Sequence, residues 1–258
     1  MKPLVSVQGI TRLFGGLAAL EDVSFDVPEG GIHAIIGPNG AGKTTMLNVL
    51  TGVYAPSEGT IRIGDDDLTG KPSHTFARHG IGRTFQTPQI FFNMSALENV
   101  MVGLHRHEQH ALLPAMLRLP KMAAGERDSL ERAVGHMREV GLGAYLGADS
   151  TTLPYGALKR LEVARALASR PRLLLLDEPA AGLNPSEAVE LAELIRDIAA
   201  GGITVVLVEH NMRLVMSISQ TIVVLDQGRR LAAGTPAEVR EDRRVIKAYL
   251  GAEDDDDA

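Results

Sequence analysis

The run "GPNGAGKTT" sets three glycines beside an ammonium and two hydroxyls: Gly37, Pro38, Asn39, Gly40, Ala41, Gly42, Lys43, Thr44 and Thr45. Gly37, Gly42, Lys43 and Thr44 fit G-x-x-x-x-G-K-[ST], a phosphate-binding loop when a strand precedes it and a helix follows. A row of phosphates needs many donors close together. Glycines let backbone N–H groups approach, and a helix N-terminus adds its positive end. In such a loop the Lys43 ammonium reaches the β- and γ-phosphates of a nucleotide, and the Thr44 hydroxyl ligates Mg²⁺.

"LLLLDEP" ends an apolar run on two carboxylates, Asp177 and Glu178. Ligands of open α/β sheets bind at the C-terminal ends of the strands. There Asp177 serves a metal from its outer shell, and Glu178 polarises a water aimed at the γ-phosphate. Two single residues share that kind of position. Gln86 follows the short run "IGRTF" and offers an amide oxygen to Mg²⁺ or to water, while His210 ends "ITVVLVEH". Taken singly, a glutamine or histidine at a strand end is more often an ordinary surface residue.

These side chains need a sheet to hold them in a row. "GIHAIIG", "RLLLLDEP", "ITVVLVEH" and "TIVVLDQG" are apolar and β-rich, with helical stretches between them, and a helix is predicted from about Lys43. Buried strands separated by helices imply an α/β class with a mostly parallel sheet covered on both faces. "PLVSVQGI", "DVSFDV" and "GTIRIG" add strands nearer the N-terminus. From about Pro88 to Arg165 the chain turns helical and polar. It reads as one unit, residues 1–251, with an α/β core of residues 1–87 and 166–251 and an inserted helical subdomain, residues 88–165. The acidic end, residues 252–258, reads as a solvated, disordered tail.

With 258 residues and 45% hydrophobic content, the chain can build a sizeable core. A net charge of −6 argues against nucleic acid as a partner. The absence of cysteine rules out disulfides and thiolate zinc sites. The start, "MKPLVSVQGITRL", lacks the apolar run of a signal peptide, and no apolar run reaches membrane-span length. A soluble, cytoplasmic protein is expected.

The order "GPNGAGKTT", "FQTP", "LPYGALKRLEVARAL", "LLLLDEP", "AGLNP" and "EH" resembles the ATP-binding cassette family, from about Leu4 to Gly251. "LFGG", "GLHRH", "EPAAGLNP" and "VIKAYLG" look most like the ATP-binding subunits of branched-chain amino acid importers and their relatives for urea and amides. The resemblance implies a P-loop NTPase core with a mostly parallel sheet, an antiparallel β subdomain and an inserted α-helical subdomain. It makes Gln86 the glutamine of the Q-loop, His210 the switch histidine at the γ-phosphate, and Phe14 the aromatic that stacks on adenine. The cofactors it implies are ATP and Mg²⁺, with Thr44, Gln86 and Asp177 serving the metal. The partners it implies are two transmembrane permease subunits, a second ATPase subunit of paralogous sequence, and indirectly a solute-binding protein. The location it implies is peripheral, on the cytoplasmic face of the inner membrane. A soluble cassette protein outside transport usually carries two cassettes or a coiled-coil insertion, and neither is present here. A nucleotide-gated binding module without turnover is at odds with Glu178 and His210.

In the family, the stretch Leu153, Pro154, Tyr155, Gly156 and Ala157 reads Leu-Ser-Gly-Gly-Gln and binds the γ-phosphate of ATP held by a second subunit. Here Pro154 removes a hydroxyl and a backbone donor, although proline is tolerated at a helix start. The N–H groups of Gly156 and Ala157 and the helix dipole remain, so this is a weakened trans element. Asn184 stands where the family usually has aspartate. It precedes Pro185, with Glu187 three residues on, a capping-box-like helix start followed by the apolar face Ala188, Leu191, Ile195 and Ile198. His105, His107 and His110 fall in a polar stretch with no thiol or carboxylate framework and read as exposed. Asp65, Asp66 and Asp67 read as a turn.

Overall fold

The computed structural model describes residues 3–105 and 120–250. His107, His110, most of "ALLPAMLRLP" and the acidic tail lie outside the described residues, and His105 sits at the C-terminal cap of a helix.

Two sheets organise the chain. Strands β1 (Pro3–Phe14), β2 (Leu17–Pro28), β4 (Glu58–Ile63) and β5 (Asp66–Asp67) form an antiparallel sheet in the order β2-β1-β4-β5. Asp66 and Asp67 therefore pair back onto Ile63 and Arg62, and the turn is confined to the residues just before them. The second sheet has the order β10-β9-β3-β8-β7-β6, built from β3 (Ile32–Ile36), β6 (Ile81–Arg83), β7 (Leu173–Asp177), β8 (Thr204–Val208), β9 (Thr221–Asp226) and β10 (Arg229–Gly234). Its strands are parallel except for β10, which runs antiparallel to β9.

Every residue of β3, β7 and β8 is buried, which is why these strands read as unbroken apolar runs. Alternation along the strands divides their side chains between two cores. Ile35, Leu173, Leu175, Val206 and Val208 join helix α1 (Lys43–Leu50) and the antiparallel sheet. Ile36, Leu174, Leu176, Val205 and Leu207 face the other way. They pack with α3 (Ala96–Leu104), α4 (Pro120–Glu139), α5 (Tyr155–Ala168), α6 (Pro185–Ala200) and α7 (Met212–Ile218). Helix α2 (Ser73–Arg78) precedes β6, and α8 (Pro236–Glu241) and α9 (Arg243–Leu250) close the described chain. Helix α5 runs unbroken through residues 165 and 166, where the division between subdomain and core is expected. Its buried Leu161, Ala164 and Ala168 share one apolar core with β7 and β8.

The parallel register brings four strand ends to one edge. β3 ends into the glycine-rich loop, β6 leads to Gln86, β7 ends on Asp177, and β8 leads to His210. That edge is where an α/β sheet binds its ligand.

Candidate active site

The glycine-rich loop owes its shape to glycine at its two ends. Gly37 has φ 155°, and a Cβ there would lie 2.1 Å from the Leu225 carbonyl oxygen. Gly42 has φ 99°, and a Cβ there would lie 2.7 Å from the Ala19 carbonyl oxygen. Gly42 is also the N-cap of α1. It supplies no side-chain cap, and no acidic residue stands in the first turn, so the helix N–H groups are left to an incoming anion. Lys43 is only 6% exposed, and its ammonium donates to the carbonyls of Gly37 and Pro38, both at 2.8 Å. Burial pulls its pKa below the usual lysine value, against the opposing pull of Glu178 and Asp177. A buried cation resting on carbonyls beside open backbone donors fits a polyphosphate chain. A cleft of about 230 Å³ opens here, lined by residues 39–45 with Ala19, Glu178 and His210.

Asp177 is buried and ion-paired with Arg83 at 2.9 Å. Arg83 also donates to Asn48 Oδ1 at 2.7 Å and lies over the Phe85 ring, 4.8 Å from its centroid. Glu178 takes the left-handed backbone at φ 46°, a strained choice for a side chain of its size. Both of its carboxylate oxygens are engaged. Oε2 accepts from Gln86 Nε2 at 2.7 Å, and Oε1 pairs with His210 Nε2 at 2.7 Å. Three residues on three separate strand ends thus meet at one carboxylate.

The other expected site residues are placed differently. Phe14 ends β1, partly exposed, with Tyr54 edge-on at 5.2 Å and the Arg12 guanidinium 4.6 Å from its centroid. It is not among the residues lining the cleft. Leu153 is buried in the core. Pro154 is the N-cap of α5, so it stands just before the first turn and not within it; like Gly42 it offers no side-chain cap. Tyr155 packs on Gly182, where a Cβ would come within 2.9 Å of its ring. Gly156 faces Glu187, whose Oε1 would lie 2.8 Å from a Cβ at that position. Asn184 accepts from the N–H groups of Ser186 and Glu187, both at 3.0 Å, and Glu187 accepts from Asn184 N–H at 2.9 Å: a complete capping box.

Sequence reasoning passed over four charges. Arg83 neutralises Asp177. Glu209, also buried, accepts from the N–H groups of Ala180 at 2.6 Å and His210 at 3.0 Å. Lys159 donates to the carbonyls of Gln86 at 2.6 Å and Glu178 at 3.1 Å. Glu162 accepts from the N–H groups of Phe85 at 3.3 Å and Gln89 at 3.1 Å. The signal for the last two was a pair of charges one turn apart, at positions that the apolar run of α5 would otherwise fill with hydrophobic side chains.

Residues 20–181 match the family model described as ABC transporter, and residues 229–255 match that described as Branched-chain amino acid ATP-binding cassette transporter. The chain is 46% identical to the high-affinity branched-chain amino acid transport ATP-binding protein BraF of Pseudomonas aeruginosa, covering 97% of this chain and 98% of the relative. It is 43% identical to the corresponding Escherichia coli protein LivG, with the same coverage. Among solved structures, the ADP conformation of an ATP-binding cassette of an ABC transporter superposes with a TM-score of 0.83 at 30% identity, covering 97% of this chain and 100% of that one.

Proposed function

This chain belongs to the ATP-binding cassette transporter family, and from that premise we propose that it powers the uptake of branched-chain amino acids as a peripheral ATPase at the cytoplasmic face of the inner membrane. The ATPase activity belongs to the family, and the matches to BraF, LivG and the C-terminal family model support the solute. The observation that carries the mechanism is the carboxylate of Glu178, held between Gln86 and His210 at the mouth of the phosphate-loop cleft.

ATP lays its phosphates along residues 37–45, and the Lys43 ammonium turns from the Gly37 and Pro38 carbonyls to the β- and γ-phosphates. Mg²⁺ would be held by the Thr44 hydroxyl and the Gln86 amide oxygen, with Asp177 in its outer shell, and would offset the charge that develops on the phosphates. The donors fit a hard cation: they are oxygens, and the Gln86 amide spends its nitrogen on Glu178. For hydrolysis Glu178 frees an oxygen from Gln86 or His210. It takes a proton from the attacking water as the water oxygen bonds to the γ-phosphorus and the bond to the bridging oxygen breaks, releasing ADP and phosphate. Once released from Glu178, His210 donates to the γ-phosphate.

The permeases dock on the face beside Gln86. A cleft of about 490 Å³ opens there among Gln89, Ile90, Phe91, Val102, Gly103, Arg165 and Ser169, and Phe92 next to it is 51% exposed. Apolar surface of this kind marks a partner site. The second cassette is a paralogue, because the weakened segment 153–157 then lies over one of the two ATP molecules and not both. A solute-binding protein feeds the complex from the far side, and no nucleic acid takes part. The test is to co-express the chain with the permeases encoded beside it, reconstitute the complex in nanodiscs, and assay ATPase with the cognate solute-binding protein. Stimulation by leucine, isoleucine or valine is expected. Stimulation by urea or amides alone would replace the solute, and failure to assemble would reject the transport role.

A further inference from the structure

We propose that Lys159 and Glu162 are positioning residues that tie the helix carrying the trans segment to the catalytic carboxylate. The proposal rests on the ATPase reading above.

The two side chains lie one turn apart on α5 and are 4% and 1% exposed. Neither donates to or accepts from a nucleotide-loop residue; both turn to the backbone on either side of Gln86. Glu162 Oε1 takes the N–H groups of Phe85 and Gln89, gripping the loop before and after the glutamine. Lys159 donates to the carbonyl of Gln86 itself and to that of Glu178. The Gln86 side chain then reaches Glu178 Oε2. A closed circuit results: Lys159, the Gln86 backbone, its amide, the Glu178 carboxylate and the Glu178 carbonyl.

Apolar packing does not account for this arrangement. A buried ion retained among apolar neighbours is on average no more stabilising than a hydrophobic side chain of the same volume. Glu162 Oε2 has no hydrogen-bond partner among the described residues, and its nearest cation, Arg165, stands 3.7 Å from Oε1. What the two charges do fix is a distance. The first turn of α5 bears Tyr155, Gly156 and Ala157, and Lys159 follows within one more turn. A shift of α5 along its axis, as segment 153–157 engages a phosphate on the second subunit, therefore moves Gln86 and Glu178 with it. The coupling acts mainly on the hydrolytic step, through the position of the Glu178 carboxylate.

The full-length chain in the reconstituted complex serves for the test, with ATPase kinetics and the binding of a fluorescent ATP analogue measured side by side. Lys43→Ala is the control for the ATPase reading. If it leaves turnover unchanged, the measured activity is not from this site and the premise fails before Lys159 is scored. Lys159→Met removes the donors and keeps the length. Its kcat is expected to fall about 10-fold or more, the scale of a lost hydrogen bond from a charged group, with analogue affinity within about 2-fold. Lys159→Arg should recover at least half of that loss on a logarithmic scale. Glu162→Gln, which keeps an acceptor, should lose less kcat than Glu162→Leu. Near-UV circular dichroism screens for folding, and if Lys159→Met does not fold, the Glu162 pair decides. Equal losses in kcat and in affinity, no difference between the two Glu162 variants, or a Lys159→Met kcat within about 3-fold of the parent would each overturn the proposal.

Discussion

Helices α1 and α6 begin in opposite ways. At α6 the Asn184 side chain takes two N–H groups and Glu187 returns the favour to Asn184, so the donors of that end are spent. Helices α3 and α8 are sealed by the same device, Ser95 with Glu98 and Thr235 with Glu238. At α1 the N-cap is a left-handed glycine with no side chain to give and no acid in the first turn. The bare end waits for a ligand where the capped end is finished structure. By that measure α5 sides with α1, since Pro154 caps nothing and no acid follows in the first turn; the short helix α2 is also bare. The two bare ends differ in what stands behind them. At α1 a buried lysine stands behind the cleft, in a loop whose turns at Gly37 and Gly42 only glycine fits. At α5 the lysine, Lys159, points back to Gln86 and Glu178. We read the first as the complete phosphate site and the second as keeping only its backbone donors.

The largest effect should come from the group that acts on the substrate held at the complete end. Glu178→Gln removes the base and leaves the loop intact, so kcat should fall about 10²- to 10⁴-fold with near-normal ATP affinity and an accumulation of closed dimer. Rapid-quench hydrolysis and gel filtration in ATP check this, and near-parental turnover would remove Glu178 from its role.

Next comes the contrast between the two ends. In the assembled complex Lys43→Ala should cost about 10- to 150-fold in ATP affinity at its own site, the range for losing a charged hydrogen bond. Gly156→Asp strikes the weaker end. It sets a carboxylate against Glu187 and, if segment 153–157 is the weakened trans element we propose, its cost in activity should be the smaller. Equal losses would show that segment 153–157 works at full strength.

How far the sequence could be read follows the same line. The strands and the glycine-rich loop were legible because their residues answer a local demand: burial on both faces for β3, β7 and β8, and glycine at φ 155° and 99°. Gln86, Glu178 and His210 were each legible as strand-end residues, but not that all three meet at one carboxylate. That meeting depends on the order β8-β7-β6, which no local pattern prints. Lys159 and Glu162 were illegible for a related reason. Their partners are backbone groups more than seventy residues away for Gln86, Phe85 and Gln89, and a backbone group leaves no letter to read. Phe14, assigned to the adenine by resemblance alone, stands with Arg12 and Tyr54 beyond the lining of the phosphate cleft.

Changing what caps α5 separates helix order from phosphate binding at that end. Pro154→Ser adds a hydroxyl that can cap its own helix or reach a phosphate on the second subunit. Pro154→Asp caps as well but brings a charge that repels phosphate. Both should raise the stability of the chain by up to about 1 kcal/mol. Only the serine should raise ATP-dependent self-association and turnover, by about 10-fold if the hydroxyl makes one good bond to a charged oxygen. Thermal melts and sedimentation with and without ATP separate the two effects. A parallel rise in both variants would mean that helix order, and not the missing hydroxyl, limits the parent chain.

The smallest effect belongs to the finished end. Asn184→Ala opens the capping box of α6 and should cost about 1 kcal/mol, a drop of roughly 2–4 °C in Tm for a chain of this size. Asn184→Asp keeps the oxygen acceptor and adds a charge that favours the helix dipole, so its Tm should match or exceed the parent's. If capping is all that Asn184 does, kcat of the assembled complex stays within about 2-fold of the parent in both variants, because the box lies within one chain and its side-chain bonds join Asn184 to Ser186 and Glu187. Steady-state ATPase of the complex decides the matter. A fall beyond about 10-fold in Asn184→Ala with an unchanged Tm would move this end out of finished structure and make it part of the contact between the two sites.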